Sequence, residues 1–453
     1  MVSWNRWATD WFSNQLPELP RRYGQLVPAN WSISYVFIGS SQIQFFAKSI
    51  MPLFTLFILL LPILLGLEFK SYGYFAAAIL IQLMFKKFLG EHIYSGYVDT
   101  AVTFFSFASI YCLIKASLLK EKQSIKSFLS LGALLAGGAV CAKQPGLFIL
   151  AAYPVMAYFL VIKGNKVLNR ADLYEGLVYP FGIALAFSLP WYIYTEVMIY
   201  LGRNKTEFEW ILEEVHQGRN LWDRFVLAII SLEKYSLLYL LSVISLPLLK
   251  NVFRWLVVFV ILPYSVLWAL YASYSHRNLA IVLPLLALAS GLGLEQIIEF
   301  IQRHLARLNF KRFPVILTIV SIMVFGIAAS LVVPDTKLID LQLTQQEDIL
   351  IQSLSREIYD YFETTDDYGL MLTAYPIEYL PGFEGLAIRD SFGGYEAYLR
   401  HRDENPGIRY LLMPKSADDR IYDEVMHQIE TGAYELIFAQ NNYLFVKIVN
   451  SSG

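Results

Sequence analysis

Apolar blocks about as long as a bilayer is thick recur between Ser49 and Val333. A run of roughly 20 apolar residues placed in lipid can satisfy its own backbone polar groups only as a helix, so these blocks constrain the fold more than any other feature. They run from Ser49 to Leu67, Tyr72 to Lys87, Asp99 to Leu118, Phe128 to Ala142, Gly146 to Ile162, Gly176 to Tyr194, Phe225 to Leu249, Trp255 to Tyr271, Asn278 to Glu299 and Pro314 to Val333. The expected fold class is a polytopic α-helical membrane protein with about ten transmembrane helices. The composition agrees, with 56% hydrophobic, 15% aromatic and 16% charged residues. The formal net charge of −2 says little, because a membrane protein sorts charge by side. The two cysteines, Cys112 and Cys141, fall inside apolar blocks and read as small core residues.

Short basic connections set the orientation. Lys120, Lys122 and Lys126, then Lys163, Lys166 and Arg170, then Lys250 and Arg254, then Arg303, Arg307, Lys311 and Arg312 fall on one side if the helices alternate. The positive-inside rule makes that side cytoplasmic. The outer side then receives residues 1–48, the Gly90 to Val98 loop, the hinge at Lys143, the Thr195 to Arg224 loop, the Tyr274 to Arg277 turn and residues 334–453. Three domains follow: an outer segment over 1–48, a membrane domain over 49–333 and an extracytoplasmic domain over 334–453.

The first segment is aromatic and amphipathic. Trp4, Trp7, Ala8, Trp11 and Phe12 share one helical face, with Asn5, Arg6, Thr9, Asp10 and Ser13 opposite, as in a helix lying in the headgroup layer. A turn from Tyr23 to Pro28 and a second surface helix from Trp31 to Phe46 are expected to follow. In the last segment, helices over Leu343 to Phe362, Tyr395 to His401 and Ala417 to Thr431 alternate with strands. The strands are expected at Tyr368 to Thr373, Ile408 to Met413, Tyr434 to Ala439 and Tyr443 to Ile448, which together describe a small α/β domain. Its glycines, in Pro381-Gly382 and Gly393-Gly394, make turns but no nucleotide fingerprint, and acceptor recognition and simple bracing fit the domain equally.

Candidate chemistry concentrates at the outer helix ends. Asp99 opens a span that is otherwise apolar. A helix cap explains it structurally, and proton acceptance or sugar orientation explains it functionally. Glu91 and His92 precede it in the same loop; such a pair could ligate a divalent metal, though one adjacent pair is a weak signal and no cofactor is indicated. Lys143 follows the glycines Gly132, Gly137 and Gly138 and precedes Gln144, Pro145 and Gly146. It either snorkels to the surface or faces the interior of the bundle, where its point charge suits a phosphate. His276 and Arg277 head a later span on the same side, and Arg can grip phosphate through two parallel hydrogen bonds.

Taken in order, these residues resemble a known family. Gly96-Tyr97-Val98-Asp99, Leu134 to Gly138 followed by Ala142 to Gly146, Leu189-Pro190-Trp191-Tyr192, and His276-Arg277 before Leu283-Pro284 are similar to the GT-C membrane glycosyltransferases. The similarity is greatest to the branch holding protein mannosyltransferases and the lipid A aminoarabinose transferase. It covers roughly Ser3 to Val333.

The resemblance implies an inverting hexosyl- or pentosyltransferase of cell envelope glycosylation, multi-pass in an inner or plasma membrane. It would move a sugar from a polyprenyl-phosphate donor to an acceptor whose identity is not readable, with the bilayer as partner and no nucleic acid. Carried onto this chain, the resemblance gives Asp99 an assisting catalytic role and Lys143 and Arg277 the donor phosphate. Tyr23, Glu91, His92, Tyr97, Gln144 and His276 become substrate or loop residues. The family's first acidic motif would fall upstream of Met1, since Asp10 lies within the amphipathic helix and does not match. The chain is therefore expected to lack its first helix and principal base, and to be inactive as it stands. Two other readings stay open: a polymerase or ligase of lipid-linked oligosaccharides, and a membrane transporter or flippase.

Overall fold

The computed structural model describes residues 2–17, 23–41, 45–88, 97–163, 167–201, 220–232, 236–272, 276–306, 353–365, 367–373, 387–389, 398–399, 402, 406–414, 419–440 and 443–449. The chain divides into two compact units. One holds residue 1 and residues 7–332, and the other holds residues 2–6 and 333–453.

The regular elements described in the first unit are all helices. After α1 (Val2–Phe12), whose first residues belong to the second unit, and α2 (Leu26–Ile38) come α3 (Phe45–Phe69), α4 (Tyr72–Phe88), α5 (Asp99–Leu118), α6 (Lys122–Ala142) and α7 (Gly146–Ile162). Then follow α8 (Arg170–Tyr200), α9 (Leu221–Ser231), α10 (Ser236–Ser245), α11 (Asn251–Ala272), a 3-10 stretch over His276–Val282, and α12 (Leu283–Ala306). Among the described residues six helices are long and apolar enough to cross a membrane: α3, α5, α6, α8, α11 and the run Arg277–Arg303. Shorter apolar helices lie at Leu26–Ile38, Tyr72–Phe85 and Gly146–Ile162. The chain is an integral membrane protein.

The centre of this unit is α5, buried on nearly every side, and its closest packing is on α6. Small residues make that approach possible. A Cβ on Gly132 would meet Tyr153 Oη at 2.4 Å, and one on Gly138 would lie 3.0 Å from the Phe105 ring. The polar groups drawn into this seam are satisfied across it, with Ser109 Oγ donating to the Gly132 carbonyl at 2.8 Å and Tyr153 Oη to that of Leu129 at 2.7 Å. Buried donors left unmade would cost more than the bonds return, so these pairs fix the register of α5, α6 and α7.

Several expected boundaries move. The second surface helix ends at Ile38 because Gly39 takes the left-handed conformation (φ 76°) that closes a helix, and the first span begins at Phe45. Lys122 and Lys126, expected in a connection, belong to the first turns of α6, and Arg170 opens α8. Lys122 Nζ pairs with Asp172 at 2.8 Å, and Lys126 with Glu175, so this basic loop is folded into a helix-end ion network. The span expected over Phe225 to Leu249 is two helices, α9 and α10. The span expected over Pro314 to Val333 lies outside the described residues.

The second unit contains a five-stranded sheet in the order β2-β1-β3-β5-β4. Its strands are β1 (Leu370–Thr373), β2 (Ala387–Arg389), β3 (Ile408–Pro414), β4 (Tyr434–Gln440) and β5 (Tyr443–Ile448). β1 runs parallel to β2 and β3, while β5 is antiparallel to β3 and β4. Period-two alternation divides the core. Tyr410, Leu412 and Phe445 pack with Ile358 and Phe362 of a helix over 353–365, whereas Leu411, Met413 and Val446 pack with Ile421 and Val425 of the helix Asp419–Glu430. β2 was not expected from the sequence: three residues are too few to show a period.

Candidate functional site

Asp99, Lys143, Arg277 and Asn278 meet at one end of the helix bundle. Lys143 Nζ lies 2.7 Å from Asp99 Oδ1 and donates to Asn278 Oδ1 at 3.3 Å. Arg277 Nη1 stands 4.0 Å from the other carboxylate oxygen, Asp99 Oδ2, which accepts no hydrogen bond among the described residues. The guanidinium sits over the Tyr97 ring, 4.4 Å from its centroid. Side-chain exposure separates the members: 4% for Asp99, 11% for Lys143 and 28% for Arg277. The ammonium is enclosed, whereas the guanidinium reaches the surface of the cluster.

Helix ends place every member. Asp99 is the first residue of α5, where the positive end of the helix dipole favours a carboxylate, and its carbonyl accepts from Thr103 Oγ1 at 2.6 Å. Lys143 ends α6 in an extended conformation, and the turn that follows brings Gly146 N onto the Lys143 carbonyl at 2.9 Å. That turn needs glycine, because a Cβ on Gly146 would lie 2.2 Å from the Ala139 carbonyl carbon. Asn278 is locked in the 3-10 stretch: Tyr264 Oη donates to its carbonyl at 2.6 Å, and its Nδ2 donates to Ala272 O at 3.3 Å.

The structure thus brings together four residues picked out in the sequence, Asp99, Lys143, Arg277 and Tyr97, the last as the aromatic face beneath the arginine. It adds Asn278, expected only as the start of a span. An amide opening an apolar run directly after His276-Arg277 was the available signal.

Tyr23 serves a different place. Its carbonyl accepts from Trp191 Nε1 at 2.7 Å, and its ring lies 5.7 Å from that of Trp7. Beside it, a Cβ on Gly24 would fall 2.2 Å from the Cys141 carbonyl oxygen, so the turn before α2 rests on the end of α6 two residues from Lys143. Gln144 lies half-buried in the turn, its carbonyl accepting from Leu147 N at 2.8 Å. Glu91 and His92 lie outside the described residues, as does the side chain of His276.

No family model and no curated protein sequence matches the chain. Among solved structures it is similar to ArnT from Cupriavidus metallidurans bound to undecaprenyl phosphate. The TM-score is 0.54 at 11% identity, over 99% of this chain and 93% of that one. The apo state of the same protein gives a TM-score of 0.51 at 10% identity, over the same shares of the two chains. At such identities the likeness is one of fold: this chain is a polytopic α-helical membrane protein with the GT-C fold.

Proposed function

We propose that this chain is a GT-C glycosyltransferase that takes a sugar from a polyprenyl-phosphate donor and transfers it, with inversion, to a lipid, glycan or protein acceptor on the extracytoplasmic face. The observation that carries this reading is the cluster of two cations and one carboxylate at a single bundle end, with Arg277, 28% exposed, as its least buried charge. A lipid phosphate is an anion carried at the membrane surface, and a guanidinium is the side chain best matched to it. The fold likeness to ArnT, whose structure holds undecaprenyl phosphate, supports the same class of donor.

In the reaction the acceptor oxygen attacks the anomeric carbon, the bond from that carbon to the phosphate oxygen breaks, and the departing phosphate gains negative charge. Arg277 meets that charge directly, and Lys143 adds its field from behind Asp99. Asp99 is already engaged by both cations, which suits an assisting role. The proton of the acceptor passes to another base.

Membranes containing the complete gene product, with any residues encoded upstream of Met1, given a labelled polyprenyl-phosphate sugar, are expected to show covalent transfer of label and release of polyprenyl phosphate. Arg277→Gln should lower that transfer by well over tenfold, the range seen when one preorganised charge is removed from a transition state. Movement of the labelled lipid across the membrane without covalent transfer would replace this reading with a carrier.

A further inference from the structure

The carboxylate of Asp99 is shared unequally, and the inequality suggests a role in turnover. One oxygen is fixed by Lys143 at 2.7 Å, and Asn278 holds the same ammonium from the other side. The second oxygen points towards Arg277 Nη1 across 4.0 Å, about 1 Å beyond hydrogen-bond length. Lys143 is enclosed and held at two points, whereas Arg277 is the more exposed and rests against an aromatic face. An ammonium clamped between a carboxylate and an amide is committed to that carboxylate, whereas the guanidinium is the less buried cation.

We propose that Asp99 is an internal rival of the lipid phosphate: it holds Arg277 between turnovers, yields it to the phosphate, and takes it back as polyprenyl phosphate leaves. This rests on the glycosyltransferase reading of the site. An anion that binds Arg277 must compete with a buried carboxylate at 4.0 Å, so Asp99 weakens product binding and speeds release. Lys143 anchors the rival in place, which explains why a cation assigned to phosphate is spent on a carboxylate.

The test is binding of undecaprenyl phosphate to the purified full chain in nanodiscs, followed by native mass spectrometry, for the wild type, Asp99→Asn, the double variant Asp99→Asn with Lys143→Met, and Arg277→Gln. The double variant is decisive, because it removes one negative and one positive charge together and leaves the net charge of the cluster unchanged. It is expected to bind the lipid phosphate about tenfold more tightly than the wild type or better, the size of effect expected from an opposite charge at this distance. In transfer assays it should show a burst followed by slow steady turnover.

Equal or weaker binding by the double variant, with the wild type binding through Arg277, overturns the rival role and leaves the proposed function intact. If the wild type and Arg277→Gln bind the lipid phosphate alike, the phosphate site itself is misassigned, and both proposals fall.

Discussion

Lys143 and Asp99 are each tolerable in the bundle because of the other. A buried ion pair adds little net stability, yet removing one partner leaves an uncompensated charge and costs about 3–5 kcal/mol. Lys143→Met should therefore destabilise the solubilised protein strongly, and adding Asp99→Asn to it should recover most of the loss. Thermal unfolding followed by tryptophan fluorescence checks this, and a double variant no more stable than Lys143→Met would contradict the pairing. Both residues were legible in the sequence, because a lone charge bordering an apolar block asks for an explanation. Asn278 was not: a neutral amide at a helix start has a ready explanation as a cap, and only the fold shows that its Oδ1 receives Lys143 Nζ. The bond between Asp99 and Lys143 was equally hidden, since 44 residues separate them and each alone suited a surface position.

Helices were legible where polarity changes sharply and obscure where it does not. α5 begins and ends where the apolar block does, at Asp99 and Leu118. α6 begins six residues before the expected Phe128, because Lys122 and Lys126 look like loop until Asp172 and Glu175 of α8 supply their partners. The hinge between α6 and α7 was marked by Pro145 and Gly146, but the need for glycine there comes from contact with the backbone of α6. Gly146→Ala should open this turn and shift Lys143 away from Asp99. We expect at least a tenfold loss of transfer, of the order that follows small displacements of positioned groups, together with a lowered melting temperature. Normal activity in that variant would show that the turn relaxes without moving the lysine.

The sheet of the second unit offers a prediction in pH. Asp367 lies 2.5 Å from Lys447 Nζ and 3.1 Å from Arg409 Nη1, and the hydrogen bond from Lys447, with lesser help from Tyr410 and Arg409, holds its carboxyl below the ordinary 3.8. A depressed carboxyl stabilises the fold above its unfolded value, and that contribution is lost as pH falls through the lower folded value. Amide protection of β3 and β5, measured by hydrogen exchange and corrected for intrinsic rates, should fall from pH 6 to below about 3.8 in the wild type. Asp367→Asn should start lower at pH 6 and change less over the same range. An identical pH profile in the two proteins would remove Asp367 from the acid response.

At the scale of the whole molecule, the bundle separates two kinds of charge by the length of α5, which at 1.5 Å per residue is roughly 30 Å. One end holds Asp99, Lys143 and Arg277, of which Arg277 is the least buried. The other holds Lys115 paired with Glu68, and Lys122 and Lys126 paired with Asp172 and Glu175. The second end carries the short basic connections, and on the positive-inside rule we propose that it faces the cytoplasm and the Asp99 cluster the outside, where a polyprenyl-linked sugar and its acceptor would meet. In a variant with Cys112 and Cys141 replaced, a cysteine introduced at the exposed Lys120 should react with a membrane-impermeant maleimide only after the membrane is opened. One introduced at Asn14, in the turn after α1, should react in intact cells. Labelling in the reverse order would place the phosphate site on the cytoplasmic side. A donor and acceptor would then have to be sought there, and the extracytoplasmic part of the proposed function would fall, while the packing of the helix-end cluster would be unaffected.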